Sequence, residues 1–256
     1  MKVGILAGGL GTRLAEETET KPKPMVEIGG KPILWHIMKH YHHFGFKSFV
    51  IALGYKGSRI KRFFGDNNVQ NDPGNEDIAG DRVTVKSIGR EDWVVELVDT
   101  GQDTETGGRI KRMKPHLDGG TFMLTYGDGV SSVNLPELLA FHRSHGRMAT
   151  VTAVRPPPRF GKLDIRGDAV VSFSEKPKLE EEWINGAFFV LEPEVLDYID
   201  GDDVQWEKEP LERLAKDGQL MAYRHEAFWQ CMDTLQDKNL LQDLWEQGTP
   251  PWKVWE

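Results

Sequence analysis

The chain has almost no cysteine, no long apolar run and no excess of positive charge. Its 256 residues include one cysteine, Cys231, which cannot form a disulfide within the chain and fits a reducing compartment. The formal net charge of −8 argues against a general nucleic-acid-binding surface, which needs a basic face. No stretch approaches the roughly 18 consecutive apolar residues that suggest a transmembrane helix. We therefore expect a cytoplasmic protein that binds neither nucleic acid nor membrane.

Two familiar phosphate-binding patterns are also missing. The dinucleotide fingerprint has three glycines, of which Gly9 and Gly11 are present while Leu14 stands at the third position. The P-loop requires Gly-Lys-Ser/Thr, whereas Gly11 is followed by Thr12 and Arg13. No Ser-His-Asp or Cys-His arrangement stands out either. These absences weigh against a dinucleotide-dependent dehydrogenase and against catalysis by an activated nucleophile.

A glycine-rich loop near the start of the chain is the most informative feature that is present. An apolar run, Val3 to Ala7, predicts a buried first strand, and the loop Gly8-Gly9-Leu10-Gly11-Thr12-Arg13 follows it. Glycines let main-chain N–H groups approach a ligand closely, and an arginine suits phosphate oxygens. This combination predicts a nucleotide phosphate-binding loop.

A second cationic segment follows this loop. Lys21-Pro22-Lys23-Pro24 places two lysines on a chain that its prolines stiffen. Stiffness favours a lysine that must hold a transferring phosphoryl group, because less positional freedom is lost in the reaction. A solvated basic linker is the alternative interpretation.

Two aspartates are candidates for a metal site. Asp128 follows a predicted strand between two glycines, and Asp233 interrupts an apolar run. A carboxylate in apolar surroundings needs a cation, and Mg²⁺ takes one or two carboxylates together with substrate phosphates and waters. The alternatives are a turn aspartate at 128 and a helix N-cap at 233. His36 and His40 share a helical spacing, but we interpret them as packed or solvated rather than as metal ligands.

The order of motifs along nearly the whole chain resembles the sugar-1-phosphate nucleotidylyltransferases. The matching segments are Gly8 to Leu14, Lys21 to Met25, Gly29 to Ile33, Tyr126-Gly127-Asp128, Glu175-Lys176-Pro177, Asn185 to Phe189 and Trp229 to Thr234. The resemblance implies Mg²⁺-dependent nucleotidyl transfer, with the metal on Asp128 and Asp233. Catalytic roles fall to Arg13, Lys23 and Asp128.

The resemblance also implies which residues hold the substrates. The sugar phosphate is assigned to Glu175, Lys176 and Asn185. The nucleotide is assigned to Leu6, Ala7, Gly8, Gly9, Leu10, Gly11, Thr12, Arg13, Lys23, Thr106, Arg109 and Gly127.

Within the family, four segments most resemble the branch that uses CTP and glucose 1-phosphate to make CDP-glucose. They are Lys21 to Met25, Asp99 to Gly101, Thr106 to Arg109 and Trp206 to Pro210. Two glycines at a helix start should leave N–H groups accessible beside Arg109. The same chemistry with UTP or dTTP, or with mannose 1-phosphate and GTP, remains an alternative. A catalytically silent nucleotide-sugar-binding protein is another, although Arg13, Lys23 and both aspartates are present.

Alternating apolar and amphipathic segments predict an α/β fold with a mostly parallel, doubly wound, Rossmann-like sheet and a small antiparallel hairpin over 160–174. We expect one domain, 1–256, with a nucleotide-binding part at about 1–130 and a sugar-phosphate-binding part at about 131–256. We also expect a homo-oligomer. The polar stretch 66–81 could reach a neighbouring subunit or be disordered, and the tail with Trp252 and Trp255 could pack on either its own domain or a neighbour. The predicted strands lie at 2–7, 47–53, 94–98, 121–126, 149–154, 184–190 and 219–224, and the predicted helices at 31–44, 56–64, 107–115, 135–145, 193–199, 206–217 and 236–247.

Overall fold

The computed structural model describes residues 1–66, 82–88, 91–117, 119–155, 161–175 and 182–256, with only the main chain at 66 and 82–88. In these residues an eight-stranded sheet has the order β13-β9-β12-β7-β1-β4-β6-β5. Six strands run in one direction, while β12 and β5 are antiparallel to their neighbours. The strands are β1 (Lys2–Leu6), β2 (Glu27–Ile28), β3 (Lys31–Pro32), β4 (Ser48–Leu53), β5 (Arg82–Ile88), β6 (Glu91–Asp99), β7 (Phe122–Tyr126), β8 (Gly129–Ser131), β9 (Ala149–Val154), β10 (Lys162–Arg166), β11 (Ala169–Ser174), β12 (Ile184–Leu191), β13 (Leu220–His225) and β14 (Trp229–Cys231).

Helices cover both faces of this sheet. One apolar core contains residues of α2, α3, α5 and α7, and a second core on the other face contains residues of α4 and α6. The central strands β1 and β4 are buried almost throughout, as expected for parallel strands covered on two sides. The helices are α1 (Ala15–Thr18), α2 (Ile33–His43), α3 (Gly57–Asp66), α4 (Thr106–Arg112), α5 (Leu135–His145), α6 (Glu209–Lys216) and α7 (Leu235–Glu246), and 3₁₀ turns span Thr12–Leu14, Lys23–Met25, Lys114–His116 and Pro193–Tyr198.

The predicted fold class and most predicted elements are confirmed. The predicted strand 149–154 and helix 135–145 have the observed bounds. The prediction of a helix at 193–199 was wrong in type, because Pro193–Tyr198 forms 3₁₀ turns, and the predicted helix from 206 begins only at Glu209. The prediction missed the strands β2, β3, β5, β8 and β14. None of the described helices is long and apolar enough to cross a bilayer.

The predicted hairpin forms from β10 and β11 as a separate two-stranded sheet. Its side chains are exposed throughout, Phe173 among them at 61%. Glu175 follows β11 directly and is exposed, whereas Lys176 lies outside the described residues. The stretch 66–81 lies outside them almost entirely.

The tryptophan-containing tail packs on its own domain. Trp252 and Trp255 are 1% and 8% exposed and join the core that contains α2. The Trp252 indole faces the Nδ1 atom of His36 at 3.4 Å, and the His36 ring also lies against Trp245. The predicted packing of the helix histidines is confirmed, because Nε2 of His36 and of His40 contacts the main-chain oxygen of Ile28 and of Val133.

These two histidines make the stability depend on pH. Burial lowers the pKa of both His36 and His40 from 6.5 to about 4. Between those values the unfolded chain binds protons that the folded chain does not, so stability falls as the pH drops below about 6.5. Each histidine should lower the free energy of unfolding by at most about 1.4 kcal/mol for each pH unit below about 6.5. Urea unfolding at pH 7, 6 and 5 measures this loss. His40→Gln should flatten the slope, while the exposed control His43→Gln should not, and a pH-independent midpoint would refute the assignment.

Candidate active site

A pocket of about 540 Å³ opens at the carboxyl ends of the parallel strands. The glycine loop follows β1 there, and Asp128 follows β7, which pairs with β1. Such strand ends are where open α/β sheets bind ligands. The lining consists of Leu6, Ala7, Gly8, Gly9, Leu10, Gly11, Thr12, Arg13, Lys23, Pro24, Gln102, Asp103, Thr104, Glu105, Thr106, Arg109, Tyr126, Gly127, Asp128 and Glu207.

Two cations and two carboxylates meet at one end of this pocket. Nζ of Lys23 donates to Oδ2 of Asp128 at 2.7 Å and to Oδ1 of Asp233 at 2.5 Å. Nη1 of Arg13 donates to Oδ2 of Asp233 at 2.7 Å. The Arg13 side chain is 73% exposed, while that of Lys23 is buried. Lys23 therefore forms the buried centre of the cluster and Arg13 its exposed edge.

The carboxylates keep Lys23 charged. Burial opposes the charge, but the Asp128 and Asp233 carboxylates outweigh it and raise the pKa of Lys23 above its usual range. The ammonium group thus marks a position where a cation sits between two carboxylates. Oxygen ligands of this kind suit Mg²⁺, which completes its octahedron with phosphates and waters. Among the described residues no three His, Cys, Asp or Glu side chains converge as a self-sufficient metal site.

Local structure fixes Lys23 in place. Pro22 holds an extended conformation before the 3₁₀ turn Lys23–Met25, and Val26 N donates to the Lys23 carbonyl. Gly11 has a φ of +66°, and a Cβ there would press on Cβ of Lys23 and on Thr18. The glycine loop and the proline-stiffened segment therefore pack directly together. This contact is the reason that both motifs occur in one site.

Strand pairing brings the two aspartates together. β8 pairs with β14, so Gly129 lies opposite Cys231, and Met232 N donates to the Asp128 carbonyl at 2.8 Å. The alternative of a helix N-cap at Asp233 is wrong, because Thr234 caps α7 and forms a capping box with Asp237. Asp233 is left to face Lys23 and Arg13.

Arg109 lies beneath the glycine loop. Its guanidinium is buried and donates to Leu53 O, Thr100 Oγ1, Gly101 O and Gln102 O. A Cβ on Gly8 would collide with this guanidinium, so any larger residue there would displace Arg109. Arg109 thus joins the ends of β4 and β6 to the loop after β1. Its predicted contact with the nucleotide stays a prediction.

The start of α4 is packed rather than open. The N–H of Gly107 donates to Val204 O at 2.9 Å, and a Cβ on Gly108 would strike Asp202. The expectation of accessible N–H groups is therefore wrong for Gly107, because the glycines admit the close approach of 202–204. Thr106 accepts from Trp206 N and donates to Glu207.

The predicted sugar-phosphate residues are only partly brought together. Asn185 lies on β12 beside the pocket, where its Oδ1 accepts from Ala187 N at 2.8 Å. Ala187 has a φ of +63°, and the register with β9 shifts between Asn185 and Phe189, so a bulge orients this segment. Glu175 is exposed and does not line the pocket.

Sequence reasoning left out several lining residues. Glu207 and Tyr126 stand inside motifs that pointed to the family, yet neither was assigned to the site. Gln102 to Glu105 follow the Asp99-Thr100-Gly101 segment and were not assigned either. Their proximity depends on how distant segments pack, and no local pattern reports that.

Comparisons with known proteins identify the family of this chain. The sequence matches the nucleotidyl transferase family over residues 2–242. The chain belongs to this family. It is 54% identical over 257 residues to glucose-1-phosphate cytidylyltransferase from Salmonella typhimurium, with 100% of both chains covered. It is 45% identical to a probable glucose-1-phosphate cytidylyltransferase from Bacillus subtilis, again with full coverage of both.

Solved structures confirm the nucleotidyl transferase fold. HddC from Yersinia pseudotuberculosis superposes with a TM-score of 0.71 at 24% identity, over 95% of this chain and 99% of the other. A UDP-glucose pyrophosphorylase complexed with UDP-glucose gives 0.70 at 16% identity, over 96% and 98%. At these identities the likeness concerns the fold alone.

Proposed function

We propose that this nucleotidyl transferase moves CMP from CTP to α-D-glucose 1-phosphate and releases pyrophosphate. The observation that carries the proposal is the buried cluster of Lys23, Asp128 and Asp233 beside the glycine loop. Full-length identity to relatives named glucose-1-phosphate cytidylyltransferase supports the choice of substrates. The product is CDP-glucose, a precursor for CDP-sugar and surface-polysaccharide biosynthesis.

The reaction is a displacement at the α-phosphorus of CTP. A phosphate oxygen of glucose 1-phosphate forms a bond to that phosphorus, and the bond between the α-phosphorus and the oxygen of the β-phosphate breaks. Pyrophosphate leaves with the bonding electrons. Because the second pKa of a phosphate monoester is about 6, the nucleophile is already largely dianionic at neutral pH. A general base is not needed.

The protein must therefore supply positioning and positive charge. Arg13, which pairs with Asp233 and has an exposed side chain, would hold the β- and γ-phosphates. Lys23 would hold the α-phosphate as charge builds there. Asp128 and Asp233 would hold Mg²⁺, which neutralises phosphate charge when bound.

Other assignments complete the proposal. Glu175, Lys176 and Asn185 would bind glucose 1-phosphate, and the main chain from Leu6 to Thr12, with Gly127, would bind the nucleotide. Thr106 and Arg109 would contribute to the choice of base. Residues 1–256 would form one domain that works in the cytoplasm as a homo-oligomer.

The choice of base is tested by steady-state kinetics. We expect kcat/KM for CTP to exceed that for UTP and dTTP by about tenfold to a hundredfold, because an unpaired hydrogen-bonding group at the 4-position costs about 1–3 kcal/mol. Pyrophosphate release measured with each triphosphate and with glucose and mannose 1-phosphates gives these values. Equal values for the three pyrimidine nucleotides would refute the cytidylyl assignment and leave the transferase standing.

A further inference from the structure

Glu207 lines the same pocket as the cationic cluster of Arg13 and Lys23. It precedes α6, is exposed, and lines the pocket with Tyr126 and Asp128. Its Oε2 accepts from the Thr106 hydroxyl at 2.6 Å, and Trp206 N in turn donates to that hydroxyl at 2.9 Å. The carboxylate is thus held by the first residue of α4. The hydrogen bond from Thr106 therefore fixes the position of the Glu207 carboxylate.

The Tyr126 hydroxyl is a second polar group of the pocket wall. Its oxygen is buried within the wall. The Tyr126 ring packs against Phe189 of β12 with ring centroids 6.2 Å apart, and Trp206, next to Glu207, packs against the same phenylalanine at 6.0 Å. The Tyr126 hydroxyl and the Glu207 carboxylate therefore lie on the same side of the pocket, towards β12.

Charge decides which part of the substrates can face this wall. Phosphates belong with Arg13 and Lys23, because these cations attract them, whereas a carboxylate such as that of Glu207 repels them. Glu207 therefore faces an uncharged portion, which is the base, the ribose or the hexose. A carboxylate accepts hydrogen bonds only, and sugar hydroxyls are suitable donors.

Sheet order favours the hexose. Glu207 follows Trp206, which packs against Phe189 of β12, and Tyr126 ends β7, the strand that pairs with β12. Asn185 also lies on β12. The glycine loop, Arg109 and Gln102 lie towards β1, β4 and β6 on the other side. The hexose of glucose 1-phosphate, the acceptor, thus falls on the side of the pocket where Glu207 lies.

We propose that Glu207, supported by Thr106 and Tyr126, is a specificity-determining residue that accepts hydrogen bonds from hydroxyls of the hexose. The inference rests on the proposed function and extends it, because it assigns the recognition of the sugar to a carboxylate outside the Glu175-Lys176 motif. Thr106 acts as a positioning residue for the carboxylate.

The test compares substrate dependence in variants. Glu207→Ala should raise KM for glucose 1-phosphate about tenfold to a hundredfold, because losing one hydrogen bond between the site and a substrate hydroxyl has an effect of about this size. The KM for CTP should change less than threefold. Glu207→Gln should give a smaller rise in the KM for glucose 1-phosphate, and Tyr126→Phe a rise in the same direction. The matched controls are Glu209→Gln on α6 and Tyr198→Phe, whose hydroxyl donates to Asp217; both should behave as wild type.

Monodeoxy analogues of glucose 1-phosphate identify the contact. With the wild type, removing one particular hydroxyl of glucose 1-phosphate should lower kcat/KM about tenfold or more. With Glu207→Ala, removing that same hydroxyl should lower kcat/KM almost no further. A uniform loss for all analogues, an altered CTP-to-UTP ratio, an altered response to 2′-deoxy-CTP, or no change in Glu207→Ala would each overturn the proposal. Thermal unfolding of each variant reports whether it folds.

The proposed function is judged separately, on the wild type. If the wild type prefers another triphosphate or hexose 1-phosphate, the same comparison is run with that pair. A selective rise in the sugar KM would then still support the role of Glu207.

Discussion

Asp128→Asn should lower kcat by two to three orders of magnitude at saturating Mg²⁺. The carboxylate oxygen that Lys23 contacts at 2.7 Å becomes half of a neutral amide, so both the proposed metal and the lysine lose a charged partner. Loss of a main electrostatic stabiliser of the transition state has an effect of this size. Steady-state pyrophosphate release measures it, and circular dichroism checks the fold.

The matched control for this substitution is Asp243→Asn. Asp243 is exposed on α7, so the same chemical change there should leave turnover within about twofold, as surface substitutions usually do. Near-normal turnover of Asp128→Asn would remove Asp128 from the metal site.

Lys23→Ala should lower kcat strongly while strengthening metal binding in the absence of nucleotide. Its ammonium group occupies the space between Asp128 and Asp233 at 2.7 and 2.5 Å, where a divalent ion would have to enter. Without it two adjacent carboxylates lack their shared cation. We expect kcat to fall about a hundredfold or more and Mn²⁺ affinity without CTP to rise roughly tenfold.

Calorimetry or electron paramagnetic resonance with Mn²⁺ measures the second effect independently of activity. In the wild type, CTP should strengthen Mn²⁺ binding, because its phosphates draw Lys23 and Arg13 away from the carboxylates. Lys21→Ala is the control, since Lys21 faces Glu17 at 3.8 Å rather than the aspartates. Weaker Mn²⁺ binding in Lys23→Ala would show that the lysine assists the metal and does not compete with it.

Lys23 and Lys176 also differ in their expected kinetic effects. Lys176→Ala should mainly raise KM for glucose 1-phosphate, whereas Lys23→Ala mainly lowers kcat. The reverse pattern would exchange the two assignments.

Local patterns predicted the parallel core well because its strands and helices carry their own signals. The run Ala149 to Val154 and the helix Leu135 to His145 are continuous, periodic and flanked by turn or cap residues, such as Asn134 at the N-cap. The glycine loop and both aspartates were identified for the same reason: each stands out against its immediate neighbours.

What the sequence did not predict depends on contacts between distant segments. The pairing of β8 with β14, which places Asp128 beside Asp233, involves strands of three residues, too short for a periodic signal. The hydrogen bond from Thr106 to Glu207 and the packing of Gly107 and Gly108 against 202–204 likewise join remote parts of the chain. The antiparallel direction of β12 follows from the connection after β9 and not from its apolar composition.

Transfer of the α-phosphorus tests the account most directly. With CTP labelled with ³²P at the α-position and unlabelled glucose 1-phosphate, the account predicts that the label appears in CDP-glucose, that pyrophosphate is unlabelled, and that both products form only when both substrates and Mg²⁺ are present. It further predicts that no label remains on the protein after denaturation, since the acceptor phosphate itself attacks. Labelled protein, or exchange of pyrophosphate into CTP without glucose 1-phosphate, would contradict a direct displacement at this site. The transferase activity itself would be contradicted if no pair of triphosphate and hexose 1-phosphate gave a labelled nucleotide sugar.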